Sequence, residues 1–207
     1  NMLSDYAAIK NGSYGKLMKA YYAKQDAEKL SGKGDTSQKL TLMKTSADSL
    51  KKSADALNDS SLWEKKKIKK KDEKTGEEIE VEDYDWDKIT KAVKSFVEDY
   101  NDVVKEAGES NTKDVLRNAS WMTGMTDKNS NMLAKIGITI GKGNKLELDE
   151  DALKQADISS LKTVFTGYNS FVSKISQKAT GISNAANRAS ATYTNNGTYS
   201  KTDSSLT

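Results

Sequence analysis

Chemistry in this chain would have to come from a few groupings of residues. Gly141-Lys142-Gly143 and Gly32-Lys33-Gly34 both carry the Gly-Lys pair of a phosphate loop. Neither has the preceding glycine at the offset such a loop needs, and neither lysine is followed by a Ser or Thr that could reach a metal. Both read as turns. Asp149, Glu150 and Asp151 crowd three carboxylates together as a calcium loop would. The alternating spacing of that loop is missing, and Leu153 stands where a ligand is needed. They read instead as the acidic first turn of a helix, facing its positive dipole end. Other carboxylate pairs fall on predicted solvated faces, with no apolar pocket to raise a pKa into the range of a general acid or base. Tyr14, Tyr21 and Tyr22 beside Lys16, Lys19 and Lys24 resemble the aromatic-plus-basic mix of single-strand nucleic-acid binders. Tyrosine at helical spacing fits a core or interface better, and the polar face is not consistently basic, as a membrane-surface helix requires.

What is missing excludes more. Among 207 residues there is no His, Cys or Pro. Without imidazole or thiol there is no Cys/His zinc site, no Ser-His-Asp or Cys-His arrangement and no disulfide. No catalytic residue, cofactor site, metal site or small-molecule substrate is expected, and the chain reads as a non-enzyme. Only 35% of residues are hydrophobic against 30% charged, and 33 Lys+Arg nearly balance 30 Asp+Glu. Such a lean, balanced composition suits long helices with narrow apolar seams. Asp5, Lys10, Lys16 and Lys19 interrupt the first thirty residues, so no signal-peptide core shows there, and no apolar run reaches the ~20 residues of a membrane span.

The elements that must do the positioning are legible in the spacing. Asp5 to Leu30 reads as helical segments broken at Gly12 and Gly15, and Ser31 to Gln38 as a loop. Leu40, Met43, Ala47, Leu50, Ala54 and Leu57 step alternately by three and four, the heptad seam of a helix packed on another. Trp86, Ile89, Val93, Phe96, Tyr100, Val103 and Ala107 repeat the pattern, widened by Val97 and Val104, behind an Asp85 N-cap. A third seam runs Leu161, Phe165, Tyr168, Val172, Ile175, Ala179, Ile182 and Ala186, with Gly167 as a kink. Asn111 is expected to cap a further helix carrying Val115, Leu116, Ala119 and Met122.

Two hairpins complete the reading. KKKIKKK over Lys65–Lys71, followed by IEVEDY, reads as a β-hairpin turning near Thr75 and Gly76, with Ile68 facing Ile79 or Val81 and lysines opposite Glu78, Glu80 and Glu82. Cross-strand pairs of this kind contribute about 0.2–1 kcal/mol each, so the lysines have an internal use before any nucleic acid is invoked. Ile138 and Ile140, the turn at Gly141 to Asn144, then Leu146 and Leu148 read as the second hairpin, with Asp149 capping a short helix through Leu153.

FVEDYNDVV, KDVLRNASWM, IGITIGKGNKLELDEDALKQA and SLKTVFTG, in that order, resemble the C-terminal half of the flagellar hook-associated protein 2 family, the filament cap proteins. The residues that carry the likeness include Phe96, Val97, Tyr100 and Asn101; Asp114, Leu116 and Arg117; Gly137 and Ile138; Leu146, Leu148, Asp149, Glu150 and Leu153; and Val164 and Phe165. LTLMKTSADSLKKSADALNDSSLW is similar to the family's N-terminal seam helix, with the small Lys/Glu hairpin in place of the large inserted β-domains. The resemblance spans Leu40 to Ile182. It implies a structural protein of the bacterial flagellum, exported without a cleavable signal peptide, that binds flagellin or itself.

The expected architecture is mainly α: an elongated antiparallel helical bundle with two small β-hairpins. An N-terminal helical segment and loop occupy 1–38, a bundle core with hairpins at about 64–84 and 136–148 occupies 39–188, and a polar flexible tail 189–207. Seam residues Leu50, Leu57, Trp86, Ile89, Val93, Phe96, Tyr100, Val103, Phe165, Tyr168, Val172 and Ile175 should build the core. Motif residues Asn101, Gly137, Leu146, Leu148, Asp149, Glu150 and Leu153 should mark the family's site. The alternatives are a helical adaptor or cell-surface interaction protein unrelated to flagella, including a cytoplasmic one, and a nucleic-acid binder using Lys65 to Lys71 and the N-terminal tyrosines.

Overall fold

A computed structural model of the chain describes residues 34–191. The helical segments expected before residue 31, the turn expected at Gly32-Lys33-Gly34 apart from Gly34, Tyr14, Tyr21 and Tyr22, and nearly all of the tail expected from 189 on lie outside the described residues. Within them the fold is mainly α with two antiparallel strand pairs, as the periodicity predicts. The helices are α1 (Ser37–Leu57), α2 (Trp86–Gly108), α3 (Lys113–Lys128), α4 (Ser130–Ala134), α5 (Glu150–Gln155), α6 (Ile158–Phe165) and α7 (Phe171–Ala191). Strands β1 (Lys65–Lys71) and β2 (Glu78–Tyr84) form one hairpin, β3 (Ile138–Ile140) and β4 (Leu146–Leu148) the other.

Each long helix buries the stripe that its spacing marks. On α1, Leu40, Met43, Ala47, Leu50, Ala54 and Leu57 are all buried, and on α2 so are Ile89, Val93, Phe96, Val97, Tyr100, Val103, Val104 and Ala107. Contacts at both ends show how the helices run. Asp35, just before α1, bonds Ser110, just after α2, so these two are antiparallel. Ser176 and Ser183 of α7 donate to Asp55 and Asp48 of α1, descending one helix as they ascend the other. On α3, Asp114 pairs with Arg188 while Trp121 lies against Lys178, so α3 is antiparallel to α7 as well. The bundle therefore has a fourth long member, α3, beyond the three seams read from the sequence. Each large side chain withdrawn from water contributes about 1.5–3 kcal/mol, set against the entropy of ordering the chain.

The third seam departs from expectation. Leu161 and Phe165 belong to α6 and Val172 to Ala186 to α7, with a break across 166–170. Gly167 sits at φ +99, a conformation that ends a helix and suits glycine. Asn58, at the C-terminus of α1, holds it there, accepting from its N–H at 2.8 Å and donating to its carbonyl at 3.4 Å. The reversal throws Tyr168 outward, 82% exposed, so this residue is not part of the core although it keeps the heptad step. The N-cap of α3 is Thr112, one residue beyond Asn111.

One aromatic cluster fills the centre. Trp63 stacks on Phe165 with centroids 5.6 Å apart, and Phe96 meets Phe165 and Phe171 edge to face at 6.5 and 6.3 Å. The Trp63 indole N–H donates to the Leu57 carbonyl at 2.7 Å, satisfying a buried acceptor in the last turn of α1. Trp63 is buried yet belongs to no seam, because a short 3₁₀ turn (Ser60–Trp63) after α1 carries it inward.

Candidate functional site

The motif residues come together on one flank of α2. From mid-helix, Asn101 reaches the second hairpin, accepting from the Leu146 N–H at 2.7 Å and donating to the Leu146 carbonyl at 2.9 Å. It thus takes the place of a neighbouring strand for one residue of β4. The β3–β4 register pairs Ile138 with Leu148 and Ile140 with Leu146, so Ile138 and Leu146 turn into the core while Leu148 is half-buried.

Gly137 opens this hairpin at φ +88, and its carbonyl accepts from the Asp149 N–H at 2.8 Å. A Cβ there would stand 2.7 Å from the Asp149 carbonyl oxygen and 2.9 Å from the Leu153 nitrogen, so only glycine lets α5 start this close. Asp149 then caps α5 through the Ala152 N–H at 3.0 Å, Glu150 approaches Lys94 of α2 at 3.7 Å, and Leu153 is fully buried. Asn101 and Glu150 thus tie the second hairpin and α5 to α2, while the Asp149 side chain caps α5 itself.

Other polar groups also join elements, although Thr90 Oγ1, Ser120 Oγ and Asn144 Oδ1 are buried without a hydrogen-bond partner. Asp35 is almost fully buried and accepts from the Ser110 and Thr112 hydroxyls, both at 2.6 Å, and from the Asn111 and Thr112 N–H groups, anchoring the entry of α1 to the start of α3. Burial pushes the Tyr100 phenol above its usual range, so it stays protonated and donates to Thr126 Oγ1 at 2.8 Å. Partial burial raises the Asp99 carboxyl, reinforced by Asp102 and Glu98 and partly offset by the nearby Ser53 hydroxyl. Burial also works against Asp48 and Asp55, but hydrogen bonds from Lys44 and Ser183, and from Lys51 and Ser176, outweigh it and hold both below the ordinary 3.8.

A recess of about 10 Å³ beside Asp35, Lys39 and Glu106 has room for a single water. An open trough of about 410 Å³ lies along α1 at Ser37, Thr41, Leu42 and Thr45, on one helix and with no converging polar groups. Among the described residues no three of His, Cys, Asp and Glu gather as a metal site, and no helix is long and apolar enough to cross a membrane.

The remaining seam residues behave as core with two exceptions. Leu50, Leu57, Ile89, Val93, Phe96, Tyr100, Val103, Phe165, Val172 and Ile175 are buried; Trp86 is half-buried, edge-on to Tyr84 with centroids 6.2 Å apart; and Tyr168 is exposed. The lysine-rich hairpin pairs Ile68 with Val81, and Lys65, Lys67, Lys69 and Lys71 with Tyr84, Glu82, Glu80 and Glu78. Lys70 bonds Asp83, and from Lys65 to Tyr84 seven lysines meet seven carboxylates, so the segment carries no net charge and its lysines already have acidic partners. Spacing did not announce Trp63, Asp35, Trp121 or Asn58. Trp121 stands 48% exposed on α3 under the Lys178 ammonium, 4.6 Å from the ring centroid.

Asn101 thus joins the second hairpin to α2, Asp35 joins the entry of α1 to the start of α3, and Ser176 and Ser183 join α7 to α1. Residues 110–207 match the family model for the flagellar hook-associated protein 2 C-terminus. Over that region the chain is similar to the C-terminus of flagellar hook-associated protein 2. The match takes in α3 to α7 and continues past the Ile182 at which the sequence likeness stops, whereas α1, the first hairpin and α2 precede it. No curated protein and no solved structure matches the chain.

Proposed function

We propose that this protein is a non-enzymatic component of flagellar assembly, similar to a filament cap, that binds flagellin or further copies of itself through helical surfaces outside the cell. The observation that carries it is the family match over residues 110–207, on a region whose described part is built from packing clamps. In this reading the seam residues make a stiff bundle over 39–188, the Asn101–Gly137–Asp149 set locks the second hairpin to it, and 1–38 and 189–207 are the flanking segments through which partners are engaged. Trp121 and Leu42, each about half exposed on long helices, are the kind of apolar anchors that a protein partner buries. Deleting the gene in the source bacterium and imaging the filaments tests this directly: short or absent filaments and secreted flagellin are expected. Normal filaments and motility, with the protein confined to washed cytosol, would favour a helical adaptor unrelated to flagella.

A further inference from the structure

The first hairpin is a two-stranded sheet, so each of its strands has a free side. Asp72 N–H donates to the Glu77 carbonyl at 2.9 Å, and bonded and non-bonded pairs alternate along an antiparallel ladder. With Lys71 opposite Glu78, the register makes Lys70–Ile79, Ile68–Val81 and Lys66–Asp83 the bonded pairs. The backbone N–H and C=O groups of Lys65, Lys67, Lys69 and Lys71 therefore turn away from β2, and those of Glu78, Glu80, Glu82 and Tyr84 turn away from β1. Apart from half-buried Tyr84, all of these residues are exposed. The two open edges thus differ in charge: one is lined by lysine and the other by glutamate.

Lysine on an exposed edge ordinarily discourages pairing between copies. Here that holds only for like edges, since β1 against β1 or β2 against β2 sets like charges opposite one another. We infer that the glutamate edge of one hairpin adds to the lysine edge of the hairpin on a second copy of this chain, extending the sheet from molecule to molecule. Each lysine row then lies between two acidic rows, and each new strand satisfies backbone groups now left to water. The two surfaces in contact are different, so the contact is head to tail and builds a ring or an open array rather than a two-fold dimer. The contact does not rest on the flagellar reading, and its failure would leave the filament test untouched.

The test uses the full chain. Light scattering over a concentration series should show self-association. Raising salt from about 0.1 M to about 1 M, which shortens the Debye length from about 10 to about 3 Å, should weaken it at least tenfold. Lys67→Pro and Glu80→Pro each remove an outward N–H without touching a bond inside the hairpin, and either should abolish assembly. Lys67→Pro keeps its acidic edge and Glu80→Pro its basic edge, so mixing the two should give a 1:1 dimer that grows no further. Amide exchange at Ile68 and Val81 reports that the hairpin is intact; if a proline melts it, Lys67→Glu and Glu80→Lys serve instead, each alone expected to weaken assembly and the mixture to restore it. A parent protein monomeric at every concentration, oligomers indifferent to both substitutions, or a mixture that fails to pair would each overturn the proposal.

Discussion

The Ser176 hydroxyl donates to Asp55 across the α1–α7 interface at 2.6 Å, and one heptad further along each helix Ser183 donates to Asp48 at the same distance. Each aspartate also meets a lysine four residues earlier on its own helix, Lys51 at 2.5 Å and Lys44 at 2.7 Å. A Lys-Asp-Ser unit is therefore repeated at heptad spacing beside the apolar seam, and a shift of α7 by one residue would break both copies at once. Oily side chains make the helices adhere; these paired clamps set their register.

Removing a clamp should cost little stability by itself but should show coupling. Asp55→Ala and Ser176→Ala are each expected to lower unfolding free energy by about 0.5–1.5 kcal/mol. In a double-mutant cycle their effects should fall short of additive, while Asp55→Ala with Ser183→Ala should add. Urea denaturation of the four variants measures this, and strict additivity for the Asp55–Ser176 pair would show that the hydrogen bond carries nothing.

Acid should act in two opposed stages. Asp48 and Asp55 are held below 3.8, so the stability they contribute is complete above that value and disappears as pH falls through their lowered folded pKa. Asp99 is raised, so its ionised form costs stability at neutral pH, and acidification toward 3.8 relieves that cost. Asp59 and Asp83 are lowered too, by the Ser61 backbone and by Lys70, but they lie at the surface where solvent screens them. Melting temperature measured against pH should therefore lose its mildly acidic gain in Asp99→Asn, and should fall less steeply below 3.8 in Asp48→Asn/Asp55→Asn.

Phe96 is fully buried and meets Tyr100, Phe165 and Phe171 at centroid distances of 6.2 to 6.5 Å. Phe96→Ala should cost about 3–5 kcal/mol, through lost transfer energy and the cavity left between α2, α6 and α7. Phe96→Leu, which keeps most of the volume, should lose much less in the same denaturation experiment.

Gly137→Ala should disturb the second hairpin more than its size suggests, since it adds positive-φ strain to a 2.7 Å approach to the Asp149 carbonyl. A loss of about 1–3 kcal/mol is expected, with faster amide exchange at Asp149 and Leu153. Asn101→Ala should instead release the Leu146 amide selectively, because it removes both bonds to that residue and leaves α5 in place.

Spacing alone carried the long helices, since a three-four alternation of apolar residues admits only one face to a core; the second hairpin was legible in its alternation around Gly141 to Asn144, and the first in a lysine run set against glutamates across a turn near Gly76. Spacing failed wherever the backbone left the period. Tyr168 keeps the heptad step yet points to water, because Gly167 takes positive φ under the grip of Asn58, a residue 109 positions away in the chain. Trp63 is core without belonging to any seam, and Asp35 in an apparent loop became a buried anchor only when Ser110 and Thr112 came to meet it. Local periodicity is written in neighbouring residues and can be read from them. Helix order, the fourth bundle member, the Asp48–Ser183 register and the clamp of Asn101 on Leu146 depend on pairs far apart in sequence, whose contact exists only once the chain has closed on itself.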